Sequence, residues 1–90
     1  MKIVKIGAMW CPACIITNKY WNDIVNKFDK IDFTSLDIDM DENEANQYGD
    51  LDILPVIIVK ENDKEIGRIV GEHSKEEMLK RIKDVINDEK

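Results

Sequence analysis

The first 28 residues join a short apolar strand directly to an amphipathic helix, and this junction constrains the fold more than any other feature of the chain. The segment KIVKIG at residues 2–7 predicts a strand that Gly7 closes. From Pro12 the apolar residues follow helical spacing, and proline suits the first helical turn because its missing N–H would have no partner there. We expect this helix to run to about Asp29.

The rest of the chain predicts two more helices and three more strands. A short polar helix is expected over 41–49 with Gly49 as its C-cap, and a last helix is expected to begin at a capping box, Ser74 to Glu77. The predicted strands lie at 31–39, 55–60 and 64–70.

The predicted order is therefore β-α-β-α-β-β-α. The first helical crossover makes the first two strands parallel, and the short connection END makes the last two an antiparallel hairpin. We expect an α/β fold in which helices cover both faces of a four-stranded mixed sheet. Ninety residues suffice for one domain, spanning 1–90.

Composition excludes several classes of function. A net charge of −6 argues against nucleic acid and anionic membrane surfaces, because the chain lacks a basic face. Its longest apolar run, ILPVIIV, is far too short to span a membrane, and the N-terminus is too charged for a signal peptide. Two cysteines are also too few for a secreted disulfide framework. We expect a cytoplasmic monomer.

The two cysteines, Cys11 and Cys14, follow Trp10 at the predicted strand-to-helix turn. A helix N-terminus favours an anion, so we predict that Cys11 is an exposed thiolate that attacks a disulfide and that Cys14 resolves the mixed disulfide. Pro12 makes the turn rigid, and Ala13 keeps the mouth of the site small. This arrangement favours a redox pair.

Other roles for the cysteine pair stay open. A disulfide across two intervening residues closes too small a loop to stabilise the fold much. A zinc site usually needs four ligands, and His73 is the only histidine, although two chains could share a metal. The alternative of a different class is a non-catalytic module that binds a metal or a partner through the two cysteines.

The WCPAC sequence at 10–14, between a strand and a helix, resembles the thioredoxin superfamily. Leu54-Pro55 opens the third predicted strand, where family members carry a cis-proline that faces the cysteines. Tyr48-Gly49 and Val70-Gly71 also stand where thioredoxins have similar pairs. The resemblance covers nearly the whole chain, whose length is closer to that of a glutaredoxin.

The resemblance implies a small thioredoxin that reduces protein disulfides and binds no cofactor. Its electrons would come from an upstream reductase or an external dithiol, and its partners would be disulfide-containing proteins. An extended substrate segment would pair with the backbone of Leu54 as an added strand. Met9, Trp10 and Gly71 would line a shallow apolar patch around it.

A glutathione-dependent reductase of the glutaredoxin type is the alternative within redox chemistry. Glutaredoxins share Cys-Pro-x-Cys but usually have tyrosine where Ala13 stands. They also carry a glycine pair, followed by an acidic residue, that helps to hold glutathione. The corresponding stretch, Val70 to Ser74, lacks that pair.

Lys5 is the main departure from the thioredoxin pattern. Thioredoxins commonly place a buried aspartate six positions before the first cysteine, where this chain has Lys5. Ser35 stands near the place of a family lysine on the second strand. A cation near Cys14 would favour its thiolate, which makes Lys5 a candidate for tuning its pKa. Alternatively, Lys5 reaches solvent at the sheet edge.

Overall fold

The computed structural model describes residues 1–88 of the chain. Its elements are β1 (Lys2–Gly7), α1 (Pro12–Val25), β2 (Asp32–Asp37), α2 (Glu42–Asn46), β3 (Val56–Glu61), β4 (Lys64–Val70) and α3 (Lys75–Asp88). This is the element order that the sequence predicts.

The four strands form one mixed sheet in the order β2-β1-β3-β4. β1 runs parallel to β2 and antiparallel to β3, and β3 pairs antiparallel with β4. Residues Val56 to Val59 of β3 are all buried, because this inner strand is covered on both faces. The predicted α/β fold with a four-stranded mixed sheet is confirmed.

The core lies in two layers, one on each face of the sheet. Alternate residues of β1 supply both layers, with Ile3 on one face and Val4 on the other. The layer that contains Ile3 also holds buried side chains of α1 and α3, namely Trp21, Ile24, Met78 and Ile82. The other layer holds Ala45 of α2 and both cysteines, which lie at the first turn of α1.

The predicted end of α1 is four residues too late, since the helix ends at Val25 rather than Asp29. Asn26 is the C-cap, and the next two N–H groups bond to carbonyls three residues back, which tightens the chain into a turn. Phe28 lies in this turn and still packs on Phe33, with 6.3 Å between their ring centroids.

α2 and β2 are also shorter than predicted, since α2 was expected over 41–49 and β2 over 31–39. Gln47, and not Gly49, is the C-cap of α2. Gly49 follows it with φ +81°, and its N–H donates to the carbonyl of Asn46 at 3.2 Å. Glycine suits this left-handed conformation, but the predicted C-cap is wrong, because the helix ends three residues earlier, at Asn46.

At the start of α3, one of the two hydrogen bonds of the predicted capping box is present. The hydroxyl of Ser74 accepts the N–H of Glu77 at 3.1 Å. The carboxylate of Glu77 instead pairs with Arg81 one turn later, at 2.8 Å. Among the helices of residues 1–88, none combines the length and apolar character that a membrane span requires.

Gly67 sets the distance between β4 and α3. A Cβ atom at this position would lie 2.7 Å from Cγ1 of Val85, closer than packed carbon atoms come. Valine is stiff about its first side-chain torsion, so it cannot easily turn away. The glycine therefore lets α3 lie close against the sheet.

We expect Gly67→Ala to lower the free energy of unfolding by about 1–3 kcal/mol, the usual cost of overpacking a core. Urea denaturation measures the change. The matched test is Gly67→Ala combined with Val85→Ala, which removes the clashing methyl groups. The double variant should lose less stability than the sum of the two single variants. If the losses of the two single variants simply add up in the double variant, the contact between residues 67 and 85 does not limit the packing.

Candidate active site

Cys11 is the N-cap of α1. Its backbone is extended, with φ −93° and ψ 113°, and its Sγ accepts the backbone N–H of Cys14 at 3.2 Å. Its own N–H donates to the carbonyl of Ala8 at 3.2 Å, which closes the turn after β1. A sulfur atom thus does what a serine or aspartate oxygen does at other helix starts. The cap holds Cys11 at the positive end of the helix dipole.

Both sulfur side chains are buried. Cys11 is 6% exposed and Cys14 is 2% exposed, and both are free cysteines. The prediction of an exposed Cys11 is therefore wrong. Its side chain turns inward because its Sγ caps the helix, and it belongs to the same buried cluster as Ala8 and Leu54. Ala13 is half-buried against this cluster, and Pro12 is exposed on the first turn of α1.

Gly7 allows the close approach of α1 to the end of β1. A Cβ atom at Gly7 would lie 3.1 Å from the Sγ of Cys14. The sequence indicated Gly7 only as the end of a strand, so its part in the site was missed. A signal was present in the sequence, since glycine in or beside a strand often marks a close approach.

The Leu54-Pro55 segment lies in the same buried layer as the cysteines. Its peptide bond is cis, as the resemblance implies. Pro55 is fully buried and lines a cavity together with Cys14, while Leu54 packs in the cluster that contains both cysteines. The carbonyl of Pro55 accepts the N–H of Gly71 at 2.9 Å, which ties the end of β4 to this segment.

Exposed apolar side chains lie beside the buried cysteines and beside the Leu54-Pro55 segment. Met9 and Trp10 precede Cys11 and are 78% and 64% exposed. Ile53 and Val70 are also exposed, and a Cβ at Gly71 would lie 3.7 Å from Cγ2 of Ile53. We call Met9, Trp10, Ile53 and Val70 the apolar rim. The sequence predicted its first two members and Gly71, but not Ile53 or Val70.

Asp39 holds the indole of Trp10 in place. The indole Nε1–H donates to the Asp39 carboxylate at 2.8 Å, although the two residues are 29 positions apart. The backbone N–H of Asp39 in turn donates to Asp37 at 2.8 Å. A contact of this kind depends on tertiary structure, and no local pattern signals it.

Arg68 ties the loop before Leu54 to β4. Its guanidinium donates to the carbonyl of Tyr48 at 2.8 Å and pairs with Glu65 at 2.6 Å. A longer bond of 3.5 Å reaches the carbonyl of Asp50. The segment that carries Leu54 and Pro55 is therefore held from both of its ends.

Lys5 lies on an inner strand, so the alternative is wrong in placing it at the sheet edge. Its side chain is only half-buried, and the side chain of its partner Asn18 is exposed. β1 has β2 on one side and β3 on the other, and Lys5 pairs in register with Ser35 of β2. Its Nζ donates to Oδ1 of Asn18 and lies 5.3 Å from the ring centroid of Trp21. Lys5, Asn18 and Cys14 line one cavity of about 240 Å³.

The thiol of Cys14 is held in its protonated form. Burial raises its pKa from 9.0 to about 11, and the hydrogen bond with Cys11 acts in the same direction. A backbone hydrogen bond from Ala8 and the positive charge of Lys5 lower that pKa. Burial lowers the pKa of Lys5, while the Cys14 thiolate raises it.

The part of the chain from residue 1 to 88 contains no group of three or more His, Cys, Asp or Glu side chains that could hold a metal ion together. Within these residues, Cys11 and Cys14 thus have no third side chain of this kind grouped with them. The two thiols by themselves can form and break a disulfide.

A family model described as Thioredoxin matches residues 1–84. The chain belongs to the thioredoxin family. A thioredoxin H-type from Fagopyrum esculentum is 28% identical over 80 residues, which cover 89% of this chain and 67% of that relative. The chain spans half to two thirds of the length of the first three plant relatives that it matches.

Solved structures share the fold. Reduced thioredoxin pre-protein from Schistosoma mansoni superposes with a TM-score of 0.79 at 25% identity, covering 97% of this chain and 76% of that one. Thioredoxin 1 from Thermosipho africanus gives 0.76 at 22% identity, covering 99% and 98%. Membership of this family supports thiol–disulfide oxidoreductase chemistry as the general class of activity.

The raised pKa of Cys14 predicts that the reduced protein loses stability in alkaline solution. A thiol with a higher pKa in the folded state binds its proton more tightly there, so its contribution is complete below pH 9. It is lost as the pH rises towards 11. The loss is at most about 3 kcal/mol, the equivalent of two pK units.

Urea denaturation of the reduced protein between pH 7 and pH 11 measures this loss. Cys14→Ser is the control, because serine does not titrate in this range. The stability of the wild type relative to Cys14→Ser should fall above pH 9. A constant difference across the range would contradict a raised pKa at Cys14.

Proposed function

We propose that this protein is a thiol–disulfide oxidoreductase that reduces protein disulfides, with Cys11 as the nucleophile and Cys14 as the resolving thiol. The observation that carries the proposal is the sulfur cap of α1, in which Cys11 Sγ accepts the N–H of Cys14. A hydrogen-bond donor and the positive end of a helix dipole both favour negative charge on that sulfur. Cys14 is protonated and buried behind it, as a resolving thiol should be.

The proposed reaction has two exchange steps. The Cys11 thiolate attacks a substrate disulfide, forms a mixed disulfide and releases one substrate thiolate, which takes up a proton. Cys14 then loses its proton and attacks Cys11, and the bond between Cys11 and the substrate breaks. Two electrons pass from the dithiol to the substrate. The product is a disulfide between Cys11 and Cys14.

Substrate binding is proposed at Leu54 and the apolar rim. Among residues 1–88, the backbone N–H and C=O of Leu54 form no hydrogen bond with another backbone group. They are therefore free to pair with an extended segment of a substrate protein. The exposed side chains of the rim would cover the apolar residues next to the substrate disulfide.

The cycle needs no bound cofactor, because the two sulfur atoms carry the electrons. An upstream reductase or an external dithiol would restore the thiols after each turnover. Such a reductant works best in a reducing compartment, so we propose a cytoplasmic location and action as a monomer on disulfide-containing proteins.

Single cysteine variants test the assignment of roles. Cys11→Ser should reduce insulin with dithiothreitol no faster than dithiothreitol alone. Cys14→Ser should accumulate a mixed disulfide with the substrate through Cys11, because no second thiol is present to release it. Mass spectrometry after acid quenching identifies that species. Wild-type turnover by Cys11→Ser would contradict the proposal.

Two further measurements separate the alternative functions. A non-catalytic metal-binding module would contain zinc as purified and would not lose two hydrogens on oxidation. A glutathione-dependent reductase would be reduced by glutathione but not by a thioredoxin reductase. Its reduction potential, measured against glutathione, would distinguish it from a thioredoxin. We expect reversible loss of two hydrogens and reduction by the thioredoxin reductase.

A further inference from the structure

A half-buried cation lies beside the resolving thiol. Lys5 extends from the middle of β1 towards α1, and its side chain lines the 240 Å³ cavity that Cys14 also lines. Gly7, Met9 and Pro55 also line this cavity. The ammonium group is therefore placed to act on Cys14 through its charge.

Two uncharged partners hold this ammonium group. It donates a hydrogen bond to the side-chain carbonyl of Asn18, which stands one helical turn after Cys14 on α1. It also lies 5.3 Å from the ring centroid of Trp21, within the range of a cation–π interaction. Neither partner carries a negative charge. The charge of Lys5 thus remains uncompensated by the groups that position it.

Other charged groups near the cavity have partners of their own. Asp37 and Asp41 line it from β2 and the start of α2. One oxygen of Asp37 accepts the backbone N–H groups of Asp39 and Met40, and Asp41 accepts the N–H of Asp37. The neighbours of Lys5 in the sheet, Ser35 and Ile57, are uncharged. Within residues 1–88, Lys5 takes part in no salt bridge.

We propose that Lys5, positioned by Asn18, stabilises the Cys14 thiolate during the resolving step. The proposal rests on the function proposed above. In the mixed disulfide, the Cys14 thiol gives its proton to solvent and its thiolate attacks Cys11 Sγ. The bond from Cys11 to the substrate sulfur breaks, and the departing thiolate takes a proton from solvent. Lys5 stays protonated throughout and supplies only its charge.

The charge of Lys5 should affect only one of the two exchange steps, the resolution by Cys14. Burial opposes ionisation of Cys14, and the positive charge of Lys5 acts against that penalty. Attack by Cys11 occurs before Cys14 ionises, so removal of the charge should slow resolution and leave the first attack unchanged. This separation makes the role of Lys5 measurable.

Stopped-flow reaction with 5,5′-dithiobis(2-nitrobenzoate) resolves the two steps. The first thionitrobenzoate is released when Cys11 attacks, and the second when Cys14 resolves the mixed disulfide. We expect Lys5→Met to keep the first rate within about twofold and to slow the second about tenfold at pH 7, which corresponds to a change of one pK unit. The midpoint of the pH profile for the second step should rise by about one pH unit.

Three variants serve as matched controls. Lys2→Met removes the same charge from an exposed position on the same strand, and both rates should equal those of the wild type. Lys5→Arg keeps the charge, and its second step should stay within about threefold of the wild type. Asn18→Ala changes an exposed residue, which should preserve folding, and its midpoint should rise by less than that of Lys5→Met.

The outcomes that overturn the proposal are distinct from those that overturn the proposed function. An unchanged second rate and midpoint in Lys5→Met would exclude an electrostatic role, and equal slowing in Lys5→Arg would show a packing role instead. If Lys5→Met does not fold, an unshifted midpoint in Asn18→Ala overturns the proposal. A wild-type protein that shows no first release from Cys11 would contradict the proposed oxidoreductase itself.

Discussion

The hydrogen bond from the N–H of Cys14 to the sulfur of Cys11 is the interaction on which the site depends. It begins α1, turns the Cys11 side chain inward and sets both sulfur atoms at one end of the helix. Gly7 makes this start possible, because any side chain there would press on the sulfur of Cys14. A single helix cap therefore determines where the cysteine pair lies relative to the sheet.

The remaining parts of the site come from distant segments that the sheet brings together. The order β2-β1-β3-β4 puts β1 in the interior, so that the Leu54-Pro55 segment before β3 meets the cysteines that follow β1. Arg68 and Gly71 secure that segment, and Asp39 secures Trp10. The same order puts Lys5 next to α1, where its ammonium group contacts Asn18 and Trp21.

Much of the fold could be predicted from the sequence, because strong local patterns specify it. The apolar run before β4 predicted the strand β3, and the turn residues placed β4 with its observed bounds. The ends of α1 and α2 were predicted too late, since three-residue turns at their C-termini leave no clear mark in the residue pattern. The burial of Cys11 was also missed, because it follows from packing against Ala8 and Leu54.

The sequence by itself determined the element order, the positions of the two cysteines at a helix start and the presence of Lys5 six residues earlier. These are local properties, set by residue spacing, by proline and glycine, and by backbone hydrogen bonds near in the chain. Only the tertiary structure decided what surrounds them. The bond between Trp10 and Asp39, the position of Lys5 against Asn18 and Trp21, and the cavity behind Cys14 join residues whose contact depends on the sheet order and the packing of α1.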